Sequence, residues 1–209
     1  MNHSFTLLHA DDALVVVDKP AGLLAVPGLG EAGRENLAAR VQAAFADALV
    51  VHRLDQATSG LMLFARGAGP QRALSMAFER RAVAKRYVAV VEGRPAACSG
   101  HIDAPLAADW PRRPRQRVDM AHGKPSLTCW TVLSRDEPEG GARLLLEPVT
   151  GRSHQLRVHL QHIGHAIRGD TLYAPEPWHA SRLLLHASRL ELLHPVTCEA
   201  LMFDSQPPF

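Results

Sequence analysis

The residues best suited to chemistry lie together in His52-Arg53-Leu54-Asp55-Gln56-Ala57-Thr58-Ser59-Gly60. An arginine stands two positions before an aspartate, and a Thr-Ser-Gly turn follows. In extended backbone, residues two apart face the same side, so Arg53 and Asp55 can address one site with a cation and a carboxylate. Thr58 and Ser59 can hold such a loop through side-chain to backbone hydrogen bonds. Spacing alone leaves open a plain surface turn carrying an ion pair. A second group, Gly151-Arg152-Ser153-His154-Gln155-Leu156-Arg157-Val158-His159, holds two histidines that can support a loop by hydrogen bonds. A third, Trp110-Pro-Arg-Arg-Pro-Arg-Gln-Arg117, is basic and broken by prolines, which suits an exposed loop or edge strand. The 12 histidines raise the question of a metal. His159 and His162 have i,i+3 spacing, but the glutamate of an H-E-x-x-H site is missing. Hydrogen-bonding support is the expected role of His154 and His159, and His186 is expected to be a satisfied core residue. No metal is expected.

The elements that must position these groups can be read from hydrophobic period and turn residues. Ala13-Leu-Val-Val-Val-Asp18 reads as a buried strand, ended by the Lys19-Pro20-Ala21-Gly22 turn. Residues 36–46 predict a helix with Leu37, Val41, Ala44 and Phe45 on one face and Asn36 or Glu35 near its start. Leu49–Val51 and Gly60–Ala65 predict strands on either side of the Asp55 loop. A helix over 70–81 and a strand over 86–91 follow. Leu127–Leu133 and Ala142–Pro148 predict a strand pair, and a helix runs from about Ser153 to Gly164 with the glycine at C′. Residues 182–193 and 198–203 supply further strands. Helices and strands mix without regular alternation, so the class is α+β with a largely antiparallel sheet.

A chain of 209 residues fits one domain, and at 46% hydrophobic and 21% charged it has a globular composition. The residues from Met1 to Lys19 lack the pattern of a secretory signal. No apolar run approaches the roughly 20 residues needed to cross a bilayer. Cys98, Cys129 and Cys198 are odd in number and far apart, which suits a reducing compartment. A cytoplasmic protein is therefore expected. The formal charge of +2 is weak evidence for a nucleic-acid partner. The basic residues are nearly all arginine, and guanidinium groups suit phosphate gripping and base stacking better than ammonium groups do.

Taken together, the motifs resemble the RluA-type pseudouridine synthases, whose signature is an H-R-L-D-x-x-T-S-G loop. The likeness continues through Asp18-Lys19-Pro20-Ala21-Gly22, Lys85-Arg86-Tyr87, the Gly151–His159 segment, Gly164-His165-Ala166-Ile167-Arg168-Gly169-Asp170 and Leu184-Leu185-His186-Ala187, in the family's order. The resemblance implies a pseudouridine synthase fold, with a central mixed, largely antiparallel sheet flanked by helices and loops. It also implies a single catalytic domain over residues 1–209, without an S4-like RNA-binding domain ahead of it. Gly22–Gly28 and Asp109–Val118 look like the compact dual-specificity class, which modifies large-subunit (23S) rRNA and the tRNA anticodon stem-loop.

What the resemblance implies for the site can be stated residue by residue. Asp55 is the catalytic carboxylate, attacking C1′ of the target uridine or abstracting its 2′ proton. Arg157 pairs with Asp55 and favours its charged form. Tyr87 packs against the uracil and is a candidate base for the C5 proton. The target nucleotide must leave its stack, and Arg53 fills the space. Lys19, Arg115, Arg117 and His154 are expected to bind substrate. RNA is the partner, with no cofactor, no membrane and a monomeric state expected. Two rivals have different requirements. A non-catalytic RNA-binding or chaperone module does not need Asp55, Tyr87 and Arg157 together. A base-excising hydrolase usually employs a second carboxylate, and the matched motifs supply none.

Overall fold

The computed structural model describes residues 5–28, 30–175 and 180–209; residues 1–4 of the leader reading lie outside them. In chain order the strands are β1 (Thr6–Ala10), β2 (Leu14–Lys19), β3 (Ala48–Val50), β4 (Ser59–Arg66), β5 (Ala84–Val91) and β6 (Ser99–Asp103). They continue as β7 (Leu106–Ala108), β8 (Gln116–Val118), β9 (Leu127–Glu137), β10 (Gly141–Pro148), β11 (Leu185–Leu193) and β12 (Ala200–Asp204). The α-helices are α1 (Leu37–Ala44), α2 (Ala68–Glu79) and α3 (Gln155–His162). None of them is long and apolar enough to cross a membrane. The chain divides into two compact units, Met1–Lys85 with His186–Pro208, and Arg86–Leu185 with Phe209.

In the first unit β2 and β4 form the centre. Both are apolar runs buried on both faces, as continuous β-branched and aliphatic stretches require. They pair antiparallel, with Val15 opposite Phe64 and Val17 opposite Met62. These four side chains pack with Leu37 and Val41 of α1 in one apolar cluster. Asn36 caps α1 by accepting from the Ala39 amide at 2.9 Å. The helix ends two residues before its expected end, and Ala44, expected on the apolar face, is exposed because Phe45 has already left helical backbone. β1 lies on β2, β3 on β4, and β12 on β11, all antiparallel. β11 runs parallel to the start of β4, so the sheet is mixed.

In the second unit β10 pairs antiparallel with both β5 and β9, and β6 lies on β9. Leu146 stands opposite Tyr87 on one side and Trp130 on the other. β7 and β8 form a separate two-stranded ribbon carrying the basic loop. α3 ends as the sequence predicts: the Gly164 amide donates to Gln161 and the His165 amide to Leu160, closing its last carbonyls. Three strands were not predicted. β1, β6 and β7 are short, and two of them carry mostly exposed residues, so their apolar signal is weak.

The glycine that closes the Thr58-Ser59-Gly60 turn has a packing reason. Gly60 has φ +112°, and a Cβ there would lie 2.3 Å from the Ala187 carbonyl oxygen of β11. Gly60→Ala is expected to lower folding stability by roughly 2–4 kcal/mol, from overpacking against backbone and a disfavoured φ together. Urea denaturation checks this, with Gly67→Ala as the control, where φ is also positive but the space is open.

Candidate active site

In the first unit the segment around Asp55 is irregular backbone between β3 and β4. Arg53 is exposed, Leu54 is buried at 5% and Asp55 is half-buried. That alternation puts the arginine and the aspartate on the solvent side while the leucine anchors the loop in the core. The Thr58 amide donates to the Asp55 carbonyl at 3.1 Å, closing the turn. Ser59 is buried, and its hydroxyl meets His186 Nδ1 at 2.9 Å. The other ring nitrogen of His186 meets the Ser205 hydroxyl at 2.9 Å, so this histidine is a buried strut.

Two groups fix the loop from below. Lys19 is 0% exposed, and its ammonium donates to the carbonyls of Pro20 (2.9 Å), Leu23 (2.8 Å) and Gln56 (3.1 Å). Burying a charge is costly unless hydrogen bonds replace its water, and here three carbonyls do so. The Gly22 amide also donates to the Gln56 carbonyl (2.9 Å), and Gln56 Nε2 donates back to the Gly22 carbonyl (3.0 Å). The residue after Asp55 is thus tied to the Lys19–Gly22 turn. His52 does the equivalent work at the start of the loop. Its ring stacks on Phe78 of α2 at 4.5 Å and 21°, and its Nε2 accepts the Leu63 amide of β4 at 2.9 Å. Accepting there leaves Nδ1 to carry the proton. Burial, with Lys85 nearby, pushes the His52 pKa down to about 3. Lys85 is itself pushed below its usual range by burial and by Arg81.

In the second unit Arg157 and Asp170 form a bidentate pair, with Nε to Oδ2 at 2.7 Å and Nη2 to Oδ1 at 2.8 Å. Both residues are almost wholly buried. Asp170 also accepts the amides of Leu172 (3.0 Å) and Tyr173 (3.2 Å). The Arg157 guanidinium lies 5.1 Å from the Tyr173 ring centre, and that of Arg115 lies 5.9 Å from it. The Tyr173 hydroxyl accepts the Gln116 amide at 2.7 Å and meets His154 Nδ1 at 2.7 Å. His154 occupies left-handed backbone at φ +54° just before α3. Such backbone costs a residue with a side chain about 1–2 kcal/mol, so the Tyr173 contact helps to hold it.

The start of α3 is secured by an amide network. Gln155 Oε1 accepts from the Thr150 hydroxyl (2.7 Å) and the Arg152 amide (3.0 Å), while Nε2 donates to the Leu127 carbonyl and the Thr128 hydroxyl, both at 3.0 Å. His159 is 0% exposed. Its Nε2 lies 2.9 Å from the Ala104 carbonyl, which can only accept, so the proton sits there and Nδ1 accepts from Thr128 at 2.9 Å. Burial pushes the His159 pKa down. Among the described residues no three His, Cys, Asp or Glu side chains gather where a metal ion could sit.

The structure therefore assembles Arg53, Asp55 and Lys19 around one loop, and Arg115, His154 and Arg157 around Tyr173. Arg117 is exposed on β8 with Asp119 at 3.0 Å, and Tyr87 lies half-buried on β5. Asp170 and Tyr173 were missed as organising residues. Their signal was the Gly169-Asp170-Thr-Leu-Tyr173 run, which holds one of only two tyrosines in the chain.

A loop-borne carboxylate beside an arginine, with a separate aromatic and arginine cluster next to a basic ribbon, suits chemistry on a polyanion. Comparison with known proteins places it. The family model described as RNA pseudouridylate synthase matches residues 13–162, and the chain belongs to that family of isomerases. Among individual relatives, it is 43% identical to the dual-specificity RNA pseudouridine synthase RluA of Escherichia coli (strain K12), covering 97% of this chain and 93% of that one. It is 45% identical to the Vibrio vulnificus protein of the same name, covering 90% and 78%. Of solved structures, human RNA pseudouridylate synthase domain containing 1 superposes with a TM-score of 0.84 at 25% identity, covering 100% of this chain and 86% of that one. The human domain containing 4 protein gives 0.77 at 26%, covering 97% and 88%.

Half-buried His52 and buried His159 predict how stability depends on pH. In the unfolded chain both protonate near the usual value of about 6.5, while the folded chain resists their protonation. The unfolded state then binds more protons below that value, so stability falls as pH drops from about 6.5 toward the His52 value of about 3. Urea midpoints measured from about pH 7 down to about pH 4 should decline, and His52→Gln, which keeps an acceptor for Leu63, should shallow the slope by up to about one proton.

Proposed function

We propose that this chain isomerises uridines of structured RNA to pseudouridine with Asp55 as the catalytic carboxylate, and that its substrates are large-subunit rRNA and the tRNA anticodon stem-loop. The observation that carries the reading is the His52–Gly60 loop, which Lys19 and His52 hold rigid at both ends while Asp55 stays half-buried at its surface. Likeness to the dual-specificity enzyme of Escherichia coli over nearly its whole length supports two classes of RNA substrate.

The reaction breaks the N1–C1′ bond, turns the uracil, joins C5 to C1′, loses the C5 proton and gains one at N1. Substrate and product are isomers, so no oxidant or reductant enters. Asp55 opens the sequence at C1′ or at the 2′ proton. Arg157 is the cation assigned to partner Asp55 in the reaction. Its own geometry is set by Asp170, so it arrives pre-oriented. Tyr87 packs on the uracil and takes the C5 proton. Arg53 enters the stack vacated by the flipped nucleotide, and its planar guanidinium suits that place. Arg115, Arg117 and His154 contact the RNA beside the target. Lys19 contributes by holding the loop, because its buried ammonium already has three carbonyl partners. The chain works as one catalytic domain, as a monomer in the cytoplasm, without metal or cofactor.

The test is tritium release from transcripts labelled at uridine C5, with a tRNA anticodon stem-loop and a large-subunit rRNA fragment side by side. Wild type is expected to release tritium from both, and Asp55→Asn to bind both RNAs while releasing none. Turnover by Asp55→Asn within about ten-fold of wild type, a difference of only about 1.4 kcal/mol in the barrier, contradicts the catalytic assignment. Release from one RNA alone removes the dual-substrate part of the proposal.

A further inference from the structure

The loop between β7 and β8, together with β8 itself, carries four arginines, and three of them turn to an aspartate or to Tyr173. Arg112 pairs with Asp109 at 2.7 Å, Arg117 with Asp119 at 3.0 Å, and Arg115 leans toward Tyr173. Arg113 differs. Its guanidinium carbon lies 3.4 Å from the centre of the Trp110 ring, stacked on the indole. With one face so covered, Trp110 is still 67% exposed, which leaves the other face of the ring to solvent. An exposed indole offers a large flat face for stacking at little conformational cost.

The display is rigid. The Asp109 amide donates to the Arg115 carbonyl (2.9 Å), the Arg112 amide to Asp109 (3.0 Å) and the Arg115 amide to Arg112 (2.9 Å), while the Gln116 amide is pinned by Tyr173. Beside it runs a groove of about 650 Å³ whose lining includes Arg112, Arg115, Arg117, His162 and Tyr173. A flat aromatic face next to a cationic groove is the arrangement that binds single-stranded nucleic acid. The base stacks, and the backbone follows the charge.

We propose that Trp110, backed by Arg113, is a stacking platform for an unpaired nucleobase of the substrate RNA outside the target uridine, with the adjoining backbone running in the arginine-lined groove. The proposal rests on the RNA-modifying reading above. The guanidinium beneath the indole keeps the ring in place and adds positive charge where the polyanion approaches. Stacking is tolerant of base identity, so the platform contributes affinity for exposed loops and no sequence readout of its own.

The experiment compares wild type, Trp110→Phe, Trp110→Ala and Arg115→Ala on an anticodon stem-loop transcript and a large-subunit rRNA transcript. Binding is read by tryptophan fluorescence and by filter retention at several salt concentrations, and turnover by tritium release. RNA should quench wild-type fluorescence, and Trp110→Phe should lose most of the quench yet keep affinity within about three-fold, since a ring remains. Trp110→Ala should raise KM roughly ten-fold with kcat within about two-fold. Its salt slope should match wild type, whereas Arg115→Ala should lower the slope by about one. Trp110→Ala with wild-type KM on both RNAs, or with its loss confined to kcat, overturns the platform while leaving the isomerase reading standing. Wild type that binds neither RNA overturns both, and turns the exposed indole into a surface for a protein partner.

Discussion

Much of the second unit hangs on the pair of charges it hides. Arg157 and Asp170 lie almost out of water, and removing one partner of such a pair typically costs about 3–5 kcal/mol because the other is left as an uncompensated charge. The pair persists because its remaining valences are used: Asp170 takes two guanidinium hydrogens and two backbone amides. Those amides fix the chain through Tyr173. The Tyr173 hydroxyl then fixes Gln116 at the root of the basic ribbon and His154 at the head of α3. One buried ion pair thereby helps to fix Arg157, His154 and the root of the strand that carries Arg117. Alternative pairings would strand a charge, so the geometry tolerates little drift.

The first unit solves a similar problem with different chemistry. The loop bearing Asp55 has no regular hydrogen-bond ladder of its own, and irregular backbone near a core needs partners for its polar groups. Lys19 supplies three hydrogens to carbonyls of the Lys19–Leu23 turn and the loop, and neutral His52 supplies an acceptor to a β4 amide left over from pairing. Gly60 lets β4 approach β11 closely where the loop ends. Asp55 is thus carried on a loop held by groups that behave like parts of the core.

How much of this the chain itself disclosed varies with the kind of interaction. Long apolar runs and capped helices were legible, because local period and caps dictate them: β2, β4, α1 and α3 fall within a few residues of expectation. Short strands such as β1 were not, since five residues with exposed side chains carry little apolar signal. The Asp55 loop was legible as a motif, but the part Lys19 plays in it was not. Lys19 reads from sequence as a turn residue or a substrate contact, and only the fold reveals a buried ammonium among carbonyls. Likewise Asp170 and Tyr173 sit 13 and 16 residues from Arg157, a separation that no helical or strand period spans. Contacts that depend on the tertiary path are the ones sequence patterns convey least.

In the proposed mechanism Asp170 sets the geometry of Arg157 for the chemistry. The most direct measurement is single-turnover pseudouridine formation by Asp170→Asn, at saturating RNA and with thermal melting to show a folded protein. Misplacing a positioned group by about 1 Å can cost on the order of a hundred-fold in rate, so a fall of that order is expected even with RNA saturating. A folded Asp170→Asn enzyme that turns over at the wild-type rate would contradict it.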